Sequence, residues 1–292
     1  MGNSDSLPEK NNSDDIFLYV PDINDFRDKY IHFDQILDYS DIIDLRGSFP
    51  PVVNIGKWNG SISTSLSAII YYELLKLNNN IFIPSRQFIH YNSLLYSSRN
   101  QDCISYITPS IRYTLKSIAK WGFCPEQYLP FDLENILEKP NKNVYRIANS
   151  YGIEYYRVSS NLNDIKLVLN NKKPIVSSIP LYSSFKEHNV RVTGRIPYPE
   201  ETDINIGALG IVILGYIEEK ELFIVRFPFG DLWGDHGYGY LSYKYIIEMA
   251  MDLWIINVIT KDKIENYNIN DVPDDKELSS SKKSIPIQGR YI

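Results

Sequence analysis

Apolar residues in this chain repeat with one period in its first half and another in its second, and any fold has to satisfy both. From Ser61 to about Gly122 the spacing is helical. Leu66, Ile69, Ile70, Leu74 and Leu75 share a stripe in a segment opened by Ser61-Ile62-Ser63, where either serine is placed to cap the first turn. Asn78-Asn79-Asn80 closes that segment. Pro84-Ser85 opens a second, with Phe88, Tyr91, Leu94 and Leu95 on one side, and Pro109-Ser110 a third, with Ile111, Leu115 and Ile118 ahead of Gly122. From about Pro174 the pattern becomes that of strands. Pro174 to Leu181, Ala208 to Tyr216, Leu222 to Phe227, Tyr238 to Tyr243 and Trp254 to Thr260 are short, rich in Ile, Val and Tyr, and parted by Gly, Pro or acidic turns. Helices first and strands after predict an α+β fold with a seam between the halves, and seams are where ligand sites form.

Both flanks differ from this body. Residues 1–43 read as an acidic extension with aromatic islands at Phe17-Leu18-Tyr19-Val20 and Tyr30-Ile31-His32-Phe33, packing on the body in places. Residues 265–292 are polar and rich in Ser, Lys and Asp, which predicts a disordered tail. Between them the expected division is a helical lobe over 44–158, its central helix starting near Ser61, and a β-rich lobe over 159–264. The 30 basic and 36 acidic residues give a net charge of −6 and no basic stripe, so nucleic acid is not an expected partner. No apolar run reaches the ~20 residues of a bilayer helix, and the start of the chain lacks the apolar core of a secretion signal. Met1-Gly2-Asn3-Ser4-Asp5-Ser6 does fit the myristoylation pattern. Two cysteines, Cys103 and Cys124, make no disulfide framework, which points to a reduced, intracellular setting. The 40 Ile and 25 Asn against 5 Ala favour AT-rich codons, as in an AT-rich organism or a large DNA virus.

The strand half carries the most specific signature. Phe223-Ile-Val-Arg-Phe-Pro-Phe-Gly230 runs into Asp231-Leu-Trp-Gly-Asp-His-Gly-Tyr-Gly-Tyr240. This resembles the block of the papain-like cysteine peptidases in which a hydrophobic strand meets Asn-Ser-Trp-Gly and then Trp-Gly-x-x-Gly-Tyr. Upstream, Pro174 to Tyr216 is similar to that family's preceding block, with Tyr182-Ser-Ser-Phe185, Gly194-Arg-Ile-Pro197 and a strand ending Gly215-Tyr216. Asp44-Leu-Arg46 and Pro50-Pro-Val-Val-Asn-Ile-Gly56 resemble its approach to the central helix. Pro84-Ser-Arg-Gln-Phe-Ile-His-Tyr-Asn92 and Gly122-Phe-Cys-Pro-Glu126 resemble its helical domain. The likeness runs from about residue 44 to 261 and implies the papain-like two-lobed fold, a helical lobe beside an antiparallel β-barrel-like lobe.

The family's chemistry uses a Cys at the start of the central helix, activated by a His and by the helix dipole. A Gln about six residues earlier donates to the oxyanion, and an Asn orients the His. Carried over through the matched blocks, the Gln position falls on Ile55 and the Cys position on Ser61. The His position falls on Leu209 and the Asn position on Phe227. Ile55 has no donor for an oxyanion, Leu209 accepts no proton, and Phe227 crowds the place of an imidazole. A Ser hydroxyl without an adjacent base is a poor nucleophile, and Ser61 is expected to be a helix cap. Leu209 and Phe227 are expected to be packing residues on adjacent strands.

The resemblance therefore implies a catalytically inactive member, a pseudopeptidase kept to bind a protein or peptide or to build a structure. A component packaged in a virus particle suits both the composition and the fold. Two alternatives stand beside it: an active hydrolase using Ser61 with a base drawn from His32, His90, His188 or His236, and a lipid-anchored adaptor acylated at Gly2. No metal-ligand spacing and no phosphate loop appear, so neither a metal nor a cofactor is expected.

Overall fold

The computed structural model describes residues 21–22, 25–33, 39–56, 58–78, 80–100 and 109–260. Gly2, the Phe17–Val20 island, Cys103 and the tail from residue 265 lie outside them.

The three helices expected from the apolar spacing form where the sequence places their boundaries. They are α1, Ser61–Lys76; α2, Arg86–Asn100; and α3, Ile111–Trp121. Ser110 caps α3 by accepting from Tyr113 N–H at 3.3 Å, and Ser85 receives Phe88 N–H at 3.1 Å. Both satisfy a backbone donor that the first helical turn leaves free. The strands are β1, Ile42–Asp44; β2, Tyr151–Arg157; β3, Ile175–Tyr182; β4, Asn205–Ile217; β5, Leu222–Arg226; β6, Tyr238–Ser242; and β7, Met251–Thr260. Four shorter helices complete the chain: α4, Lys142–Ala148; α5, Leu162–Asn170; α6, His188–Thr193; and α7, Tyr243–Met249.

All seven strands join one antiparallel sheet in the order β2-β7-β3-β4-β5-β6, with β1 added to β4. The sheet takes strands from both sides of residue 158, because β2 pairs along its whole length with β7, from Tyr151 opposite Thr260 to Arg157 opposite Trp254. Gly215 lets β1 pair closely with β4, since a Cβ there would stand 2.1 Å from the carbonyl oxygen of Ile43. On the other edge of β4, the ladder with β5 shifts register between Ile213 and Gly215.

The core is not split at the seam. One continuous apolar cluster runs from Ile62, Leu66, Ile69 and Ile70 of α1, through Ile211 to Leu214 of β4, to Trp254 of β7. A second, smaller cluster sits under α2 around Phe88, Trp121, Cys124 and Tyr145. The expectation of a single apolar stripe on α1 is too narrow, because its polar residues Ser61, Ser63, Thr64, Ser65, Ser67 and Glu73 are buried as well. Several of these find partners across the packing: Ser61 and Ser67 bond to backbone groups outside the helix, and Glu73 pairs with Lys173 at 2.7 Å. Ser67 Oγ, for example, donates to the Pro84 carbonyl at 2.7 Å.

The described part of the N-terminal extension lies against the body. Ile31 N–H donates to the Arg157 carbonyl and Arg157 N–H to the Lys29 carbonyl, at 3.0 and 2.7 Å. Asp28 accepts from Arg112 and Arg157, and Asp22 accepts from the Trp254 indole at 3.1 Å.

Candidate functional site

α1 delivers its first residues to β4. Gly210 is the point of closest approach, where a Cβ would lie 2.9 Å from the backbone nitrogen of Ile62. At that contact Ser61 Oγ accepts a hydrogen bond from Gly210 N–H at 3.0 Å. This corrects the expectation that Ser61 or Ser63 caps the helix. The N-cap position is Gly60, which makes no side-chain cap, and a Cβ there would strike the Trp58 ring at 2.2 Å. Ser61 is already inside the helix, so its hydroxyl turns across to the sheet. Ser63 turns the other way, its Oγ 3.5 Å from Nδ1 of His90.

The structure gathers the four residues singled out by sequence in two neighbouring pairs. Leu209 precedes Gly210 on β4, is 2 % exposed, and lies opposite Ile179 of β3. Phe227 follows β5, is fully buried, and donates its N–H to the Gly237 carbonyl at 3.0 Å. Ile55 is buried beside it, its N–H donating to the Pro228 carbonyl at 3.0 Å. The Phe227 ring belongs to an aromatic group, 4.8 Å from Trp233, 6.1 Å from Phe229 and 6.0 Å from Phe185. Such a group excludes water and offers no lone pair to hold an imidazole. Thr64 and Ser65, one turn beyond Ser61, line a small pocket together with Phe227 and Pro228.

His32, His188 and His236 are exposed, and His90 is buried in α2 under Trp58, ring centroids 4.9 Å apart. Burial pushes its imidazole down to about 4, because a charged ring would lose its hydration without gaining a counter-charge. Cys124 is a free, buried thiol that burial pushes up to about 12, the opposite of an activated nucleophile. Among the described residues no group of His, Cys, Asp and Glu could hold a metal ion, and no helix is long and apolar enough to cross a membrane.

Two features escaped the sequence reading. The Ser63–His90 contact joins residues 27 apart, and neither lies in a motif. The buried Arg226 carried a visible signal, since it is a charged residue at the end of an apolar strand. A surface hollow of ≈590 Å³ lies beside the aromatic group, lined by Val192, Thr193, Asp231, Leu232, Gly234, Asp235 and His236. Leu232 is 96 % exposed there.

No family model matches the chain. Over 220 residues it is 31% identical to the peptidase C1-like protein L477 of Acanthamoeba polyphaga mimivirus, a match covering 71% of this chain and 70% of that protein. Among solved structures, xylellain, a cysteine protease from Xylella fastidiosa, aligns with a TM-score of 0.74 and 28% identity over 83% of this chain and 96% of that one. The digestive procathepsin L 3 of Tenebrio molitor larval midgut, at a TM-score of 0.58 and 14% identity over 77% and 72% of the two chains, shares the fold alone. These matches and the α+β architecture define a papain-like fold, and the chain belongs to the peptidase C1-like family. The mimivirus protein that shows this is a giant-virus relative, in keeping with the bias toward residues of AT-rich codons.

Proposed function

We propose that the protein is a catalytically inactive papain-like pseudopeptidase that works by binding a protein or peptide or as a structural component. One observation carries the reading. At the start of α1 the hydroxyl of Ser61 has a backbone N–H as its partner, and the neighbouring positions Leu209 and Phe227 are buried hydrocarbon. Peptide cleavage needs a base to take the nucleophile's proton and return it to the leaving amine, and neither side chain offers one. Ile55, with no side-chain donor, removes a further contribution that is worth about 10²–10³ in rate where it has been measured.

Binding is supported by the hollow beside the aromatic group, where Leu232 and Val192 present aliphatic surface between Asp231 and Asp235. A place inside the cell, or in a virus particle, belongs to the same proposal and is supported by the giant-virus relative and by the free Cys124 thiol.

The test is intact-protein mass after exposure to a fluorophosphonate and to a thiol-directed peptide electrophile, with Ser61→Ala as control. We expect no adduct at Ser61 and no cleavage of a mixed peptide library. An adduct at Ser61 that is lost in Ser61→Ala, together with peptide turnover, would overturn the reading in favour of an active serine hydrolase.

A further inference from the structure

Of the 25 asparagines in the chain, Asn59 alone is followed by glycine. The pair stands immediately before α1, with Gly60 at the N-cap position and Asn59 outside the helix. Asparagine before glycine lets a backbone nitrogen reach the preceding side chain with least hindrance, because the glycine has no Cβ and few backbone restrictions. Here the packing itself requires the glycine: a Cβ at position 60 would stand 2.2 Å from the Trp58 ring. Asn59 is half-buried, so water has access to it.

Neither reacting group of the pair is tied down. The Gly60 carbonyl accepts from Thr64 N–H at 2.9 Å. Among the described residues, however, the Gly60 N–H has no acceptor and the Asn59 carboxamide makes no hydrogen bond. Other loop asparagines differ. Asn54 accepts from Gly56 N–H and Asn205 from Gly207 N–H, both at 2.8 Å. Asn141 and Asn161 accept N–H groups from the first turns of α4 and α5. In each of these the side-chain oxygen is held by the backbone that follows it. At Asn59 nothing holds the carboxamide away from the next backbone nitrogen.

We infer that Asn59 is a site of spontaneous covalent modification, at which the side chain loses ammonia and closes a cyclic imide with Gly60. The Gly60 nitrogen gives its proton to hydroxide from solvent and attacks Cγ of Asn59. The new N–Cγ bond forms, the bond from Cγ to the side-chain nitrogen breaks, and that nitrogen leaves as ammonia with a proton from water, which restores the hydroxide. Water then opens the ring. Breaking the N–Cγ bond leaves an aspartate, and breaking the bond to the main-chain carbonyl leaves an isoaspartate whose backbone runs through Cγ. Either product carries a negative charge that asparagine lacks. α1 has no acidic residue in its first turn and no side-chain cap, so the new charge arrives beside free backbone donors. The isoaspartyl form also lengthens the main chain next to the close contact of Gly60 with Trp58. An ageing protein therefore divides into forms that differ in charge and in backbone at the start of α1. This inference does not depend on whether the neighbouring residues are catalytically inert.

The test is ageing of the folded full chain at neutral pH in heavy-oxygen water, followed by tryptic digestion in ordinary water. Trypsin frees residues 58–76, in which Asn59 is the only asparagine. The expected result is a gain of mass in that peptide that grows with time and includes heavy oxygen, which marks hydrolysis in the folded protein rather than during digestion. The modified peptide is expected to resolve into two products, one of them a substrate for a methyltransferase specific for isoaspartate. Asn59→Gln keeps the carboxamide but has to close a larger ring, and is expected to lose the signal. A second sample, aged unfolded in urea, gives the rate of the same peptide without its structure. Modification of residues 58–76 in urea and none in the folded chain would overturn the inference, because the fold would then hold the carboxamide away from Gly60. Heavy oxygen found only at other asparagines of the folded chain would overturn it as well.

Discussion

At the scale of single residues, His90 makes a sharp prediction because its environment is so one-sided. In an unfolded chain a histidine titrates near 6.5, and burial holds this one near about 4. Between those values the unfolded state binds a proton that the folded state refuses, so stability rises with pH across the window and is lost as pH falls through it. The full loss by about pH 4 is on the order of 3 kcal/mol. Urea midpoints of the wild type and His90→Gln between pH 4 and 7 are expected to converge toward low pH, with the variant showing the shallower slope. Parallel slopes would mean that His90 accepts a proton without cost. The residue scale is also where the sequence was least legible. Ile55, Ser61, Leu209 and Phe227 were found by counting from fixed landmarks such as Pro50-Pro51 and Gly215-Tyr216. The role of Ser61 could not be found in that way. Whether its hydroxyl caps α1 or reaches Gly210 depends on a contact across 149 positions of sequence. The pairing of Ser63 with His90 and the burial of Arg226 against Pro51 and Tyr238 are likewise properties of distant neighbours.

At the scale of elements, local chemistry was a good guide wherever an element carries its own punctuation. Pro84-Ser85 and Pro109-Ser110 mark helix starts because proline suits the approach to a first turn and serine satisfies its free donors. The strands from Ile175 onward announce themselves by β-branched runs between turns. β2 did not, since Tyr151-Gly-Ile-Glu-Tyr-Tyr-Arg157 alternates weakly and gains its ladder only from β7. The N-terminal strap was legible only as an aromatic island, while its anchors are ionic. Asp28 bridges Arg112 of α3 and Arg157 of β2, and Arg157 goes on to Asp252 of β7. Both guanidiniums stack near Trp254, at 5.6 and 5.1 Å from its ring. Removing one member of so buried a network leaves charges unpaired, and costs about 3–5 kcal/mol. Asp28→Asn is therefore expected to free the strap before the body unfolds. Trypsin should then cut after the exposed Arg27 and Lys29 at a rate well above that of the wild type, with the fragment from residue 30 onward staying intact. Unchanged resistance at those two bonds would place the strap's anchorage elsewhere.

At the scale of the whole molecule, the change of period along the sequence suggested two lobes, but the buried contacts tie them into one body. α1 belongs by sequence to the helical half and by packing to the sheet, since its Ile62, Leu66 and Ile70 share a cluster with Ile211 to Leu214 of β4 and Trp254 of β7. Periodicity marks each half's apolar face but not which face it meets, so the seam was visible and its closure was not. The physical consequence is cooperativity. Where each lobe owns a core, the two can melt separately; where one core spans both, loss of either exposes the other. Leu66 is the place to ask, being fully buried at the middle of that shared core. Leu66→Ala removes three carbons and leaves a cavity, for about 2–5 kcal/mol. The expected outcome is a single urea transition in which far-ultraviolet circular dichroism and tryptophan fluorescence coincide, shifted as a whole to lower urea by the substitution. Of the four tryptophans, Trp121 under α2 and Trp254 in the sheet lie in different halves, so in variants that keep only one of these two a transition that divides would show one tryptophan signal moving while the other stayed. Such a division would place the stabilising contacts of α1 within its own lobe, and the shared core would not be what joins the halves.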